Sequence, residues 1–279
     1  MIVTVLVSKY LASARYFFGA AMFHLFKTHL WRSKVRAFSI HFGCSLAIAL
    51  LAALLVFGLW YPYPFGEISG GRDLFLLIVG VDVVMGPLIT LAVFNPSKSR
   101  REKILDFSLI GLLQTGALVY GLWAVALARP VHVVFEYDRL RVVHAVDIPA
   151  ELLDRAPVDL KSLPLTGPTY LSLRPMQASE QQDMMTAAFG GLWLSARPEL
   201  WQPYAAASPE ILQAGQPVAE LIQRFPSQQQ AILNAVSGTG RPIEGLVYLP
   251  VVARKDAFWT AVLDRQDAKV LAYLPIDSF

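Results

Sequence analysis

Three long apolar runs precede Arg129, and they constrain the fold more than any other feature of the sequence. They cover residues 38–61, 74–94 and 107–128, and the first carries no formal charge. A helix of about 20 apolar residues is long enough to cross the hydrocarbon core of a bilayer, which is about 30 Å thick. The sequence therefore predicts a membrane protein with three transmembrane helices.

Charge is scarce and unevenly placed. Only 16% of the 279 residues are charged, whereas a soluble domain has about 25%, which argues against an ordinary cytosolic enzyme. Residues 1–128 hold eleven Lys and Arg against five Asp and Glu, and residues 129–279 hold thirteen against sixteen. The positive charges flank the apolar runs, so they indicate a membrane rather than a nucleic acid as the partner.

The positions of Lys and Arg also predict the orientation. Four basic residues, Lys27, Arg32, Lys34 and Arg36, lie close before the first run. Four more lie in residues 95–106, and only Arg72 lies between the first and second runs. Cytoplasmic loops are the ones that carry excess Lys and Arg. The N-terminus is therefore expected in the cytoplasm, and residues 129–279 in the periplasm if the membrane is a bacterial inner membrane.

We expect three segments. Residues 1–33 are basic and interrupted in their apolar pattern, which fits a cytoplasmic amphipathic segment better than a signal peptide; Met22 is an alternative start. Residues 34–128 form the three-helix transmembrane domain, and residues 129–279 form a periplasmic α+β domain.

The expected α+β domain has antiparallel strands at both ends of its sequence. Alternating apolar residues and turn signals predict the strands, and capping residues predict the helices. The expected strands are a strand or hairpin over 131–146, then 169–173, 246–253 and a closing hairpin of 258–263 and 269–274. The expected helices are 180–189 after Ser179, 208–224 with Ser208 as N-cap, and 227–236 closed by Gly238.

Asp82 is the main candidate site residue. A carboxylate near the middle of a span costs about 2.5–3.5 kcal/mol on insertion scales. Gly86-Pro87 follows one turn later, and Pro87 is expected to kink the helix and free the carbonyl of Val83. Two interpretations stay open: a proton-binding or partner-binding site, and a structural hydrogen bond to His41 or Gln114.

Two further features are candidate partner contacts. Ala117 and Gly121 form a small-xxx-small pair that would let another helix approach closely. Tyr61 and Tyr63 belong to a rigid, Pro-rich aromatic loop after the first run. This loop suits either anchoring at the headgroups or contact with a partner at the outer surface.

The sequence predicts no catalytic residues, metal site or cofactor. Cys44 is the only cysteine, so an intramolecular disulfide is excluded. His132 and His144 have no companions at metal-ligand spacing. Neither a phosphate-binding loop nor a hydrolase motif is present.

Several motifs together resemble the TfpX/TfpZ family of type IV pilin accessory proteins. They are Lys34–Phe38, Trp60-Tyr61-Pro62, Asp82–Thr90, Ala128–Val131, Val134–Leu140 and the closing hairpin. The resemblance implies a non-enzymatic inner-membrane protein that supports assembly of pili from particular pilins. It implies a type IV pilin, and the pilus assembly machinery, as partners.

Architecture and resemblance agree on a function in which the second and third spans hold the pilin helix and the exported domain holds its head. Membrane lipid is a further expected partner, and nucleic acid is not. The alternatives are a membrane-anchored ligand sensor, and an enzyme or transport subunit that uses Asp82.

Overall fold

A computed structural model describes residues 30–181, 186, 189–254 and 257–279. It contains three helices long and apolar enough to cross a membrane: α1 (Leu30–Trp60), α3 (Gly71–Val93) and α4 (Arg100–Leu127). The prediction of three long apolar helices is confirmed. Each helix begins earlier than its apolar run, since basic residues such as Lys34 and Arg101 extend it. The predicted N-terminal amphipathic segment, up to residue 29, lies outside the described residues.

The described chain divides into two compact units. The helical unit comprises the described residues up to Ala52 together with Leu76–Gly121. The sheet unit comprises Ala53–Phe75 and Leu122–Phe279, so it includes one end of each long helix. A short helix, α2 (Phe65–Ile68), also belongs to it.

The sheet unit is built on one mixed sheet of eight strands, in the order β4-β3-β1-β2-β6-β7-β8, with β5 paired to β6. The strands are β1 (Pro130–Glu136), β2 (Arg139–His144), β3 (Thr169–Leu173), β4 (Trp201–Pro203), β5 (Gln216–Pro217), β6 (Leu246–Arg254), β7 (Ala257–Asp264) and β8 (Val270–Leu274). The helices after β4 are α5 (Ser208–Ala214), α6 (Val218–Arg224) and α7 (Gln229–Thr239).

The predicted antiparallel arrangement is only partly right. The hairpin β1–β2 and the three-stranded meander β6–β7–β8 are antiparallel. However, β3 joins β1 in parallel, and β6 joins β2 in parallel. More than 100 residues separate β2 from β6, and that length of chain allows the parallel return that a hairpin turn forbids.

One face of the sheet packs against α2 and α5. Phe65 and Ile68 of α2 and Ile211 of α5 bury against apolar residues that include Leu140 of β2 and Val251 of β6. Because successive strand residues point to opposite faces, the neighbouring residues of β2 and β6 belong to the other face.

Two separate clusters cover that other face. Helices α6 and α7 pack over β6, β7 and β8, as in the contact of Leu221 and Ile232 with Tyr248. A second cluster over β1 and β3 contains Leu171 and Trp201. The part of this face that lies between the two clusters, on the first half of β2 and the end of β6, is covered by neither of them.

The prediction of one continuous helix over 208–224 is wrong. The segment is two helices, α5 and α6, interrupted at Gly215 and by strand β5, because Gln216 and Pro217 pair with β6. Ser208 is the first residue of α5 rather than its N-cap, which is Ala207.

Two other helix predictions have different outcomes. The helix predicted to close at Gly238 continues to Thr239, and Gly240 closes it with a positive φ of 67°, the conformation that glycine adopts without strain. In the helix predicted over 180–189, residues 182–185, 187 and 188 lie outside the described residues.

Candidate functional sites

The helical unit contains a cavity of about 170 Å³ lined by all three long helices. Polar side chains line it from each helix: His41 and Ser45 from α1, Asp82 from α3, and Gln114 and Thr115 from α4. Oδ1 of Asp82 is buried and has no hydrogen-bond partner among the described residues. An unpaired carboxylate oxygen beside a cavity is an acceptor that is free for a donor from a ligand or a partner.

The amide of Gln114 contacts Asp82, but not at the carboxylate. Nε2 of Gln114 donates a hydrogen bond of 3.2 Å to the main-chain carbonyl oxygen of Asp82. The structural hydrogen bond to Gln114 that the sequence suggested therefore reaches the backbone, and the Asp82 carboxylate is not its acceptor.

The backbone around Asp82 explains why its carbonyl needs this donor. Val81–Met85 is a π-helical segment, in which a carbonyl accepts from the fifth residue along the chain. The fifth residue after Asp82 is Pro87, which has no N–H. The proline thus leaves the carbonyl of Asp82 without its backbone donor, whereas the sequence had predicted this for Val83.

Gly86 gives the amide room to approach. A Cβ placed on Gly86 would overlap Nε2 of Gln114, and both Gly86 and Pro87 are buried. The three predicted residues Asp82, Gly86 and Pro87 are therefore parts of one arrangement, which Gln114 completes.

Among the described residues, His41 forms no hydrogen bond with Asp82, although both line the cavity. Its Nδ1 shares a hydrogen bond of 2.6 Å with Oγ1 of Thr90, which is buried. Asp106, on α4, forms an ion pair of 2.6 Å with Lys98.

The structure separates the two members of the predicted small-residue pair. Gly121 is buried, and a Cβ placed there would lie 2.7 Å from Cγ2 of Ile78 on α3. Its missing side chain therefore serves the packing of α4 on α3 within this chain. Ala117 is exposed and remains available to another helix.

Tyr61 and Tyr63 also have different environments. Tyr61 is buried, and its hydroxyl donates a hydrogen bond of 3.0 Å to the carbonyl oxygen of Val125 near the end of α4. Tyr63 is 90% exposed. Of the two predicted contact residues, Tyr63 is the one whose ring is free to reach a partner.

Sequence reasoning missed a larger cleft in the sheet unit. It has a volume of about 1040 Å³ and is lined by arginines from β2 and β6, by 3₁₀-helical residues, and by aromatic rings. The arginines are separated by more than 100 residues in sequence, so no local motif indicated them. Their alternation along β2, at Arg139 and Arg141, was the only signal.

His132 has a structural environment in the sheet unit. Burial lowers the pKa of His132 from its usual 6.5 to about 4, and its Nδ1 shares a 2.8 Å hydrogen bond with Oγ1 of Thr169. Within the described ranges, no group of three or more His, Cys, Asp and Glu side chains is arranged to hold a metal ion.

Comparisons with known proteins agree on one family. A family model described as "Fimbrial assembly protein FimB" matches residues 29–70, which include α1 and the Tyr61–Tyr63 loop. The "Fimbrial assembly protein, serogroup I" of Dichelobacter nodosus is 37% identical over 242 residues, which cover 86% of this chain and 94% of that protein. The chain belongs to the fimbrial assembly protein family.

Two further members of this family from the same organism match. The serogroup E1 protein is 36% identical over 242 residues, with 86% of this chain and 94% of that protein covered. The protein of serogroups C1 and C2 is 49% identical over 118 residues, with 42% of this chain and 88% of that protein covered. No solved structure matches significantly. The predicted resemblance is confirmed at the level of a fimbrial assembly protein, and TfpX/TfpZ stays a prediction.

Proposed function

We propose that this protein is a non-enzymatic accessory factor for type IV pilus assembly that binds or stabilises the pilin subunit. The observation that carries the proposal is the 37% identity to a fimbrial assembly protein over 86% of the chain. The proposal is more specific than the relatives' names in two respects, the pilin partner and the membrane location.

The location proposed is the bacterial inner membrane, with the N-terminus in the cytoplasm and the sheet unit in the periplasm. Three helices of bilayer length support it. Arg100, Arg101 and Lys103 lie in or beside the connection between α3 and α4, and cytoplasmic loops carry such charge. An odd number of crossings then places the chain after α4 on the opposite side.

The proposed membrane contact with pilin uses the helical unit. A pilin subunit waiting in the membrane has an apolar helix, and any polar group on that helix needs a partner inside the bilayer. The unpaired carboxylate oxygen of Asp82 beside its cavity offers one. Ala117 offers a neighbouring surface for close approach, while Gly86, Pro87 and Gly121 hold α3 and α4 in place.

The proposed contact outside the membrane uses Tyr63, the exposed ring of the loop between α1 and α2. An aromatic side chain in an exposed position adds large contact area at a low cost in side-chain entropy. Tyr61 is assigned to the internal packing of this loop, because its hydroxyl is already bonded to Val125.

The test is photo-crosslinking in cells that assemble pili. A photoreactive phenylalanine analogue replaces Tyr63, or Leu112, which is 72% exposed on α4. Val158, which is 83% exposed elsewhere in the sheet unit, is the matched control position. We expect the major pilin to be the dominant adduct from Tyr63 and Leu112, with little from Val158.

Other adducts would change the conclusion. Adducts with the assembly machinery alone would show that the protein acts on the machine and not on pilin. A deletion strain tests the function itself: unchanged pilin levels and surface pili without this gene would contradict any accessory role.

A further inference from the structure

The large cleft in the sheet unit lies between the two clusters that cover one face of the sheet. Arg141 of β2 pairs in register with Val252 of β6, so both side chains are on this face, opposite Leu140 and Val251. Both residues line the cleft. The strands are parallel there, and the paired residues lie in the first half of β2 and near the carboxyl end of β6.

The cleft presents cationic groups. Arg139, Arg141 and Arg254 line it, against one lining carboxylate, Asp147. Nε of Arg141 is paired with Glu136 at 2.9 Å, and Nε of Arg139 is paired with Asp138 at 2.7 Å. Arg254 has no ion pair within the described ranges and is therefore the arginine most available to a ligand. Guanidinium groups bind phosphate oxygens through paired hydrogen bonds, so these arginines favour an anionic ligand.

Two buried polar atoms at the cleft lack partners. Nε2 of His144 and Oγ of Ser195 have no hydrogen-bond partner in the described structure. Both residues line the cleft, and they are only 6% and 0% exposed. Buried polar atoms are normally paired, so their presence points to a ligand that supplies the missing hydrogen bonds.

The cleft adjoins the ends of two long helices. Ala128, the residue directly after α4, lines it. Gly70 directly precedes α3, and a Cβ there would lie 2.6 Å from Nη1 of Arg254. Trp193 and Phe258 line the cleft and are 51% and 39% exposed. Aromatic rings and basic residues at helix ends are typical of the headgroup region of a bilayer.

We propose that this cleft binds the phosphate headgroup of an acidic phospholipid, with Arg254 as its principal contact and Arg139 and Arg141 in support. The inference rests on the membrane placement proposed above, and not on the role in pilus assembly. Bound lipid would hold the sheet unit against the membrane surface, with Trp193 and Phe258 in the interface.

The test measures lipid binding by the full chain, purified in a non-ionic detergent and freed of lipid. The probes are short-chain phosphatidylglycerol, short-chain phosphatidylcholine and inorganic phosphate, each followed by calorimetry. We expect phosphatidylglycerol to bind at least tenfold more tightly than either other probe. Arg254→Gln should weaken that binding about tenfold, and Arg155→Gln, an exposed arginine outside the cleft, should leave it unchanged.

A second variant guards against misfolding. Near-ultraviolet circular dichroism checks the fold, and Arg139→Gln replaces Arg254→Gln if the latter does not fold, with a smaller but measurable expected loss of affinity. Equal affinity for inorganic phosphate would make the cleft a free-phosphate site and overturn the lipid assignment. Equal affinity for phosphatidylcholine, or binding that neither variant weakens, would overturn it too.

A protein ligand is the remaining outcome. A photoreactive residue in place of Trp193 should yield lipid adducts in cells, and a dominant polypeptide adduct would overturn the proposal. The lipid assay requires no pili. If the protein fails to bind lipid but still supports normal piliation, this inference alone is rejected. If it binds lipid as expected but its deletion leaves pili unchanged, only the proposed function is rejected.

Discussion

The side-chain amide of Gln114, on α4, donates a hydrogen bond of 3.2 Å to the main-chain carbonyl oxygen of Asp82, on α3. It replaces the backbone donor that Pro87 removes from the π-helical segment Val81–Met85,. Gly86 makes the approach possible. A break in one helix is thereby repaired by its neighbour, which is how proline is accommodated inside apolar helices.

This arrangement predicts that Gly86→Ala destabilises the protein. The new methyl group would overlap the Gln114 amide, so either the hydrogen bond to Asp82 is lost or the two helices move apart. Loss of a partner to a buried carbonyl costs about 1–3 kcal/mol. The measurement is the thermal unfolding midpoint of the full chain in detergent.

Gly80→Ala is the matched control on the same helix. A Cβ at Gly80 meets nothing within 4 Å, so this change should leave stability equal or slightly improved. Equal midpoints for Gly86→Ala and Gly80→Ala would mean that the Gln114 hydrogen bond contributes little.

The sequence pointed to the residues of this arrangement but did not predict which hydrogen bond joins them. Asp82 and Pro87 were conspicuous because a carboxylate and a proline are both costly inside an apolar helix. The acceptor of Gln114 was not predictable, because the choice between carboxylate and carbonyl depends on the π-helical segment. A shift of hydrogen bonding from the fourth to the fifth residue leaves no mark in the hydropathy pattern.

The fold was predictable to a similar extent. Period-two alternation and a turn identified β1–β2, and the predicted strand 169–173 coincides with β3. The parallel pairing of β2 with β6, at Arg141 and Val252, was not visible, because strand patterns reveal faces and not neighbours. The cleft that depends on this pairing was therefore also beyond local motifs.

The carboxylate of Asp82 gives a functional prediction. Asp82→Asn keeps the shape of the side chain and removes its charge, which lowers the cost of placing it in a bilayer. We expect unchanged amounts of folded protein but several-fold fewer surface pili, because a neutral amide oxygen is a weaker hydrogen-bond acceptor than the unpaired carboxylate oxygen beside the cavity,. Quantitative immunoblotting and pilus counts measure the two effects.

Asp73→Asn is the control for loss of an acidic residue. Asp73 is exposed in the first turn of α3 and does not line the cavity, so its replacement should leave pili unchanged. Normal piliation in Asp82→Asn would exclude the carboxylate from pilin binding and restrict Asp82 to a structural part.

Tyr61 gives a prediction about the loop between α1 and α2. Its hydroxyl donates to the carbonyl of Val125, and the backbone amide four residues on, of Arg129, instead donates to Ala126. Tyr61→Phe leaves that helix-end carbonyl without this donor, so unfolding free energy should fall by about 1 kcal/mol. Tyr63→Phe, at a 90% exposed ring, should change it by less than about 0.5 kcal/mol.

The same pair separates stability from binding. Denaturation of the purified full chain measures stability. The yield of crosslinks to pilin from the photoreactive residue at position 112 measures binding. Tyr63→Ala should reduce the yield without lowering stability. A larger loss of stability in Tyr63→Phe than in Tyr61→Phe would contradict the assignment of Tyr61 to internal packing.

His132 predicts a stability that depends on pH. Burial lowers its pKa in the folded protein to about 4, from 6.5 in the unfolded chain. As pH falls, the unfolded chain therefore takes up the proton first, so its stability relative to the native state rises. Native stability should be full above about pH 6.5 and should decline by about 3 kcal/mol in total as pH approaches 4.

Urea unfolding of the full chain at pH 7, 6 and 5, followed by tryptophan fluorescence, measures this decline. Trp201 is a suitable reporter because its ring lies 4.6 Å from that of His132. His132→Asn has no imidazole to protonate, so its midpoint should vary less between pH 7 and 5 than that of the wild type, even if the loss of the Thr169 hydrogen bond lowers it throughout. An equally steep decline in the variant would assign the pH dependence to other groups and would mean that His132 takes up its proton as readily in the folded protein as in the unfolded chain.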